Sequence, residues 1–330
     1  NLIRARTLGD DARHLWLLAA GTVGYGALRL ADGRAAEDSE PAGARDARCT
    51  IAAVDAGIER GDLAPDVVLA RYRATSVRAA EARPDAIVWP ESALPADPQG
   101  APQLLEALRG IARASGAVLV AGGPRVAYDA RWSAQRYNTL FRIAPDGPVE
   151  IYDKREPVPF AERWPRGFGA LPAWLALDPV VAGDRAGLLR LGGCTAGMLI
   201  CFEVERPSLA AAAAASGADV LVVASNDAEL PARAIAIEAA ESRLRAVETG
   251  LPLLRAANRG ASLAIDRYGR AVAGTAGVTL LRAGAAEPAP AVRWANIVVR
   301  ACWLTVAATV LAAVVPTARA LAAGRAFRQG

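Results

Sequence analysis

The sequence predicts an α/β domain with a layered, mixed sheet, flanked by membrane segments. Three observations carry that prediction. Short apolar runs of strand length alternate with longer amphipathic stretches through the middle of the chain. Some neighbouring runs are separated by tight turn signals and others by helix-length segments, so hairpins and parallel crossovers share one domain. Uncharged or weakly charged apolar stretches bracket this middle part at both ends.

In chain order, residues 1–34 form an N-terminal membrane segment, expected to span once. Its apolar stretch runs from Leu15 to Leu28 and contains Gly21, Gly24 and Gly26. Arg4, Arg6 and Arg13 precede it, and Arg29 and Arg34 follow. Glycines at such spacing suit close helix packing, and the charge flanks also suit a signal-anchor. The chain starts at Asn1 rather than Met, so upstream sequence is expected. Residues 35–47 lack apolar periodicity and read as a linker.

The domain then occupies residues 48–290. Strands are expected at Ile51–Val54, Ala86–Trp89 and Ala117–Ala121, the last ending at Gly122-Gly123. Helices are expected at Val67–Ala82, which stops before Pro84, and at Gln103–Ser115. Thr139–Ile143 and Val149–Tyr152 make a hairpin across Pro145-Asp146-Gly147. Leu188–Leu191 and Gly197–Ile200 form another pair. A helix at Pro207–Ser216, a strand at Val220–Ala224 and a long helix at Ala232–Thr249 follow. Leu253–Ala256 and Ser262–Ile265 precede the turn Asp266-Arg267-Tyr268-Gly269. No internal sequence repeat is visible. Residues 291–330 complete the chain as a C-terminal transmembrane helix and tail. Residues 301–318 carry no charge, close to the minimum of ~17 residues for a span. Arg319, Arg325 and Arg328 place the tail in the cytoplasm by the positive-inside rule.

Composition narrows the chemistry. The net charge is only +4 over 330 residues, with Arg scattered among Asp and Glu, so no nucleic-acid partner is expected. The four cysteines, Cys49, Cys194, Cys201 and Cys302, fit neither zinc-ligand spacing nor a disulfide framework. The single histidine, His14, abuts the N-terminal apolar stretch, which leaves no histidine for a triad or a metal centre in the middle domain. Catalysis, where present, falls to Glu, Lys and Cys.

Three segments place such residues directly after apolar strands. In Ile87-Val88-Trp89-Pro90-Glu91-Ser92, Pro90 ends the strand and Glu91 leaves the turn among apolar neighbours, which would make it a better base. In Tyr152-Asp153-Lys154-Arg155-Glu156-Pro157-Val158-Pro159-Phe160-Ala161-Glu162, a lysine enters a stiff, proline-rich loop that holds another carboxylate. In Gly197-Met198-Leu199-Ile200-Cys201-Phe202-Glu203, a cysteine closes a strand; a cation beside it would favour the thiolate that attacks carbonyl carbon. Each alone is ordinary: a glutamate in a turn is usually solvated, and a cysteine after a strand is usually structural.

Together, and in the order Glu, Lys, Cys, these segments resemble the nitrilase (carbon-nitrogen hydrolase) superfamily, and within it the apolipoprotein N-acyltransferase branch. The resemblance runs from Cys49 to Leu281 and includes Ala224-Ser225-Asn226-Asp227-Ala228, Arg243-Leu244-Arg245-Ala246-Val247-Glu248 and Pro252-Leu253-Leu254-Arg255-Ala256-Ala257-Asn258-Arg259-Gly260. It implies a nitrilase-like αββα sandwich flanked by transmembrane helices. It implies Cys201 as nucleophile, Glu91 as general base and Lys154 as oxyanion stabiliser, with a backbone N–H near Phe202 assisting. Glu162 would orient the lysine, Glu203 would be a further acidic site residue, and Trp89, Phe202 and Asn226 would line the substrate pocket. Neither metal nor organic cofactor is implied.

The implied partners are a phospholipid acyl donor, a lipoprotein or other amine acceptor, and the membrane. The implied location is the bacterial cytoplasmic (inner) membrane, with the catalytic domain on its extracytoplasmic side. The sequence departs from the family in three places. It has fewer N-terminal membrane helices. Glu229-Leu230-Pro231 stands where an aromatic residue and Phe-Gly are usual, and Phe202 stands where Tyr is common. Two other readings use the same residues: an amide or nitrile hydrolase, and a non-catalytic membrane-anchored domain in conjugal transfer, of the TraB type, or in envelope assembly.

Overall fold

The structure is a computed structural model that describes residues 47–59, 64–165, 167, 170, 172, 178–285, 288–289, 292 and 304–306. In chain order its elements are β1 (Cys49–Val54), α1 (Pro65–Ala80), β2 (Ala86–Val88), α2 (Pro102–Ser115), β3 (Val118–Tyr128), β4 (Ala134–Ile143) and β5 (Glu150–Asp153). Then come β6 (Leu188–Leu191), β7 (Cys194–Ile200), a 3-10 turn (Cys201–Glu205), α3 (Pro207–Ala215), β8 (Val220–Asn226) and α4 (Ala232–Thr249). Strands β9 (Leu253–Asn258), β10 (Leu263–Ile265), β11 (Ala271–Ala273) and β12 (Val278–Ala283) complete the order.

The strands form two six-stranded sheets, ordered β12-β1-β2-β3-β4-β5 and β11-β10-β9-β8-β7-β6. Each holds three parallel neighbours, β1-β2-β3 in one and β7-β8-β9 in the other. Each trio has one antiparallel strand on one side and two on the other. The architecture therefore repeats although the sequence does not. The parallel strands are buried on both faces, which is why they read as continuous apolar runs such as Val220-Leu221-Val222-Val223-Ala224.

One face of each sheet meets the other sheet, in a core that includes Val88, Leu140, Met198, Ile200, Val222 and Leu254. The outer face of the first sheet is covered by α1 and α2, through Tyr72, Ala79, Leu108 and Ile111. The outer face of the second is covered by α3 and α4, through Ala210, Ala214 and Ala246. The layers thus run helix, sheet, sheet, helix, the sandwich that the resemblance implies. Pro65, Pro102 and Pro207 open their helices, where a missing N–H costs nothing. Gly116 and Gly250 close α2 and α4 in the left-handed conformation.

Three differences from the sequence reading stand out. Strand β3 does not stop at Gly122-Gly123 but continues to Tyr128 and pairs with β4 from Leu119 to Tyr128. A Cβ on Gly122 would lie 2.5 Å from the Pro90 carbonyl oxygen and 2.6 Å from the Glu91 Cα. The glycine therefore marks a close approach between strand and turn rather than a strand end. Strands β11 and β12, which the reading lacked, complete the two sheets; β12 pairs antiparallel to β1.

The third difference concerns the cysteines. Cys49 and Cys194 form a disulfide 145 residues apart in sequence, which corrects the expectation of no disulfide. It joins the start of β1 to the start of β7, and so links the two sheets. The expected membrane segments within 1–34 and 291–330, and the linker at 35–47, lie almost wholly outside the described residues. Among the described residues no helix is long and apolar enough to cross a membrane.

Candidate active site

Strand ends from both sheets converge at one edge of the sandwich. Glu91 follows β2, Lys154 follows β5, Cys201 follows β7, and Asn226 ends β8. Three of the loops that leave here hold a non-glycine residue in the left-handed region. These are Ser92 at φ 56, Phe160 at φ 66 and Cys201 itself at φ 50. Backbone in that region costs of order 1–3 kcal/mol and persists only where surrounding contacts enforce it.

Lys154 is buried, and its Nζ lies 3.3 Å from Glu91 Oε1 and 2.9 Å from Glu162 Oε2. Its backbone extends the β4–β5 ladder, donating its N–H to the Asn138 carbonyl and accepting from Gly183 N–H, both at 2.8 Å. Burial alone would lower the lysine's pKa. Its interactions with Glu91, Cys201 and Glu162 overcome this and raise it above its ordinary value, so the ammonium stays charged. Glu162 is itself fixed by the Val158 N–H, which donates to its Oε2 at 2.7 Å.

Glu91 is also buried, and both its oxygens are engaged. Oε1 accepts from Asn138 Nδ2 at 2.7 Å as well as from Lys154, and Oε2 accepts from the Asn226 N–H at 3.1 Å. Asn138, on β4, also reaches Glu162 Oε1 at 3.2 Å. It is a site residue that sequence reasoning missed, because a lone polar residue within a strand carries no distinguishing pattern.

Cys201 is half-buried and packs beside the core between the sheets. Burial and the Glu91 carboxylate push its thiol well above the usual range, against the pull of Lys154. Its Sγ lies 3.8 Å from Oε1 of Glu238, a residue of α4. Glu238 Oε2 lies 2.9 Å from Arg255 Nη2, which also pairs with Asp227 Oδ2 at 2.7 Å. Glu238, Arg255 and Asp227 were also missed as a group. A signal existed in α4: Glu238, Ser242, Arg245 and Thr249 recur at helical spacing on the buried face. A helix with a polar inner stripe is covering something other than plain core.

The remaining expected residues fall into two groups. Asn226 is at the site, but through its backbone; its Oδ1 accepts from Asn258 Nδ2 at 2.9 Å. Phe202 is half-buried under the Arg206 guanidinium, 4.5 Å above its ring. Trp89, by contrast, is fully buried beneath α1. It stacks on Tyr72 at 4.7 Å and donates its Nε1–H to Ser76 Oγ at 2.9 Å. The alternation of β2 turns it away from the site, which corrects its assignment to the pocket.

Glu203 is a buried brace beside the site. It accepts from Tyr152 Oη at 2.8 Å, from the N–H groups of Ile200 and Arg155 at 2.7 Å, and from the Glu156 N–H at 3.1 Å. Burial raises its pKa even against these four donors. It ties the Cys201 turn to the Lys154 loop. A separate cleft of about 490 Å³, lined by residues such as Arg83, Asp85 and Arg142, opens at the strand starts, away from these groups. Among the described residues, no group of His, Cys, Asp and Glu is arranged to hold a metal.

A half-buried thiol, a buried ammonium and a buried carboxylate gathered this way suit covalent attack on a carbonyl carbon. The carbon-nitrogen hydrolase family profile matches residues 50–281. An apolipoprotein N-acyltransferase of Allorhizobium ampelinum is 32% identical over 282 residues, covering 78% of this chain and 50% of that protein. One from Brucella melitensis is 37% identical over 201 residues, covering 57% and 37%. The chain thus spans about half the length, or less, of these curated relatives. A nitrilase-superfamily amidase of Nesterenkonia shares the fold with a TM-score of 0.57 and 22% identity, over 78% of this chain and 98% of the amidase.

Proposed function

Because the chain belongs to the carbon-nitrogen hydrolase family, with its likeness there to the apolipoprotein N-acyltransferases, we propose that it moves a fatty acyl group through a Cys201 thioester. The donor is a phospholipid and the acceptor is the N-terminal amine of a lipoprotein. The observation that carries this reading is the gathering of Glu91, Lys154 and Glu162, from two separate strand-end loops, into one network at the thiol. The Cys49–Cys194 disulfide supports an oxidising compartment, hence the extracytoplasmic side of the inner membrane.

Cys201 Sγ attacks the ester carbonyl and forms the S–C bond, while Glu91 takes the thiol proton. The ester C–O bond breaks, and Glu91 passes that proton to the departing lysophospholipid oxygen. Lys154 faces the negative oxygen of the tetrahedral intermediate; losing one such donor typically costs ~10²–10³ in rate. In the second half the amine attacks the thioester. The C–N bond forms and the C–S bond breaks. Glu91 takes a proton from the nitrogen and returns it to sulfur.

The test is an acyl-enzyme. Membranes holding the protein are incubated with labelled phospholipid, and intact mass is read. An adduct absent in Cys201→Ala and discharged by a diacylglyceryl peptide is the expected result. An adduct discharged only by water would make it a hydrolase, and no adduct on folded protein would reject the chemistry.

A further inference from the structure

The thiol has carboxylates on two sides. Glu91 comes from the facing sheet, on the turn after β2. Glu238 comes from α4, the helix that covers the nucleophile's own sheet. The two are wired differently. Both oxygens of Glu91 are already engaged by Asn138, Lys154 and the Asn226 N–H. Glu238 Oε2 faces Arg255 at 2.9 Å and the Ser225 hydroxyl at 3.1 Å, while Oε1 faces the Cys201 sulfur at 3.8 Å. Ser225 has one proton and lies closer to Asp227 Oδ1, at 2.7 Å, so Glu238 holds only a share of it.

We infer that Glu238 is a second catalytic carboxylate at the sulfur, which receives the cationic amine acceptor once Cys201 is acylated. The inference rests on the amine-acceptor reading above. In the resting protein Glu238 Oε1 lies within hydrogen-bonding distance of the Cys201 thiol, 3.8 Å from its sulfur. A thioester sulfur has no proton to give, so acylation strips that oxygen of its donor. A buried carboxylate oxygen left without a donor is costly, and a primary ammonium supplies both hydrogen bonds and compensating charge.

The charged and titratable groups facing Glu238 are Arg255 on β9, Asp227 after β8, Glu91 across the sheets, and the Cys201 thiol. Burial raises its pKa; Arg255 opposes that, and Asp227 and Glu91 reinforce it. A carboxylate so placed accepts a proton more readily than one in water. The step balances in protons: the ammonium gives one to Glu238 and becomes the attacking amine. A second passes through Glu91 to the departing sulfur as C–N forms and C–S breaks. The third stays on the amide nitrogen, and Glu238 sheds its proton to solvent.

The experiment loads Cys201 from a p-nitrophenyl fatty ester, so it does not depend on the natural donor. The acyl-enzyme is then discharged in parallel by butylamine, a cation at neutral pH, and by hydroxylamine, which is neutral there. The ratio of the two rates is compared between wild type and Glu238→Gln. The expected result is a fall of ~10² in the butylamine-to-hydroxylamine ratio, the scale of one general base. Both rates falling together would show a merely structural residue, and an unchanged ratio would equally overturn the inference.

Should the variant not fold, the wild-type protein answers alone. Its ratio should hold up below the amine's pKa, where a small thioester in solution loses butylamine reactivity. A ratio that tracks free amine as in solution would overturn the inference. Failure of phospholipid to load a cysteine that the ester loads would instead count against the proposed donor, and is seen separately.

Discussion

At the Cys201 sulfur burial and two carboxylates work against ionisation, while Lys154 and the Ser225 hydroxyl favour it. Burial leads, the Glu91 and Glu238 carboxylates add to it, and Lys154 pulls the other way without winning. The thiol is therefore held above the ordinary range of about 8.5 and is protonated at neutral pH. Attack must be coupled to proton removal, which suits an ammonium reserved for the oxyanion and a carboxylate reserved for the proton. Glu91→Gln then has two opposite effects. Removing the negative charge lowers the thiol pKa, so iodoacetamide alkylation reaches half-maximum at lower pH than in wild type. Removing the base slows acyl transfer by ~10²–10⁴. Alkylation and turnover measured on one preparation check this, and an alkylation midpoint that rises or stays put would contradict it. Glu91, Lys154 and Cys201 were legible because each follows an apolar strand within a distinctive segment. Asn138 and Glu238 were not, because their roles come from strand pairing and helix docking rather than from neighbours in sequence.

At the scale of elements, the site depends on how closely the strand-end loops approach one another. The Glu91 turn lies directly on β3, and only a glycine fits beneath it. Gly122→Ala would drive a methyl group into the Pro90 carbonyl oxygen and the Glu91 Cα. These are backbone atoms, which cannot swing aside as a flexible side chain would. The expected result is destabilisation of ~1–3 kcal/mol, as for other overpacking, with loss of acyl transfer because Glu91 leaves its position against Lys154. Gly110 in α2 is the matched control, with nothing within 4 Å of the added Cβ. Gly110→Ala should stabilise by ~0.4–1 kcal/mol and keep activity. Chemical denaturation and an acylation assay on both variants decide this; equal behaviour of the two would refute the packing argument. The parallel strands and most helices were legible, since burial on both faces and proline or glycine punctuation are local properties. The extension of β3 past Gly122-Gly123 was not, because a glycine kept for close approach looks the same in sequence as one that ends a strand.

Across the whole molecule, two similarly built halves face each other, and the site takes residues from both. Glu91, Lys154 and Glu162 belong to the first half, Cys201 and Glu238 to the second. Sheet-to-sheet alignment is therefore a condition of the proposed catalysis as well as of stability. The Cys49–Cys194 disulfide ties the halves together at the strand starts, with its sulfurs in the core between the sheets. Cys201 lies at the other end of β7, roughly 20 Å away at strand rise. No spacing rule could pair cysteines 145 residues apart, since only the stacking of one sheet on the other brings them together. Closing so long a loop restricts the unfolded chain, and replacing both cysteines by alanine should cost ~2–5 kcal/mol. At roughly 2–4 °C per kcal/mol for a domain of this size, the fall in Tm is easily measured. Dithiothreitol should lower the Tm of the wild type toward that of the double variant and leave the variant itself unmoved. Denatured wild type should also take up two more alkyl groups after reduction than before. If reductant moved neither the Tm nor the label count, the sheets would be held by packing alone. Because the staple is far from the thiol, the double variant should still form its acyl-enzyme well below its own melting temperature. Loss of acylation in a folded double variant would mean instead that the bond sets the alignment of the two halves at the site.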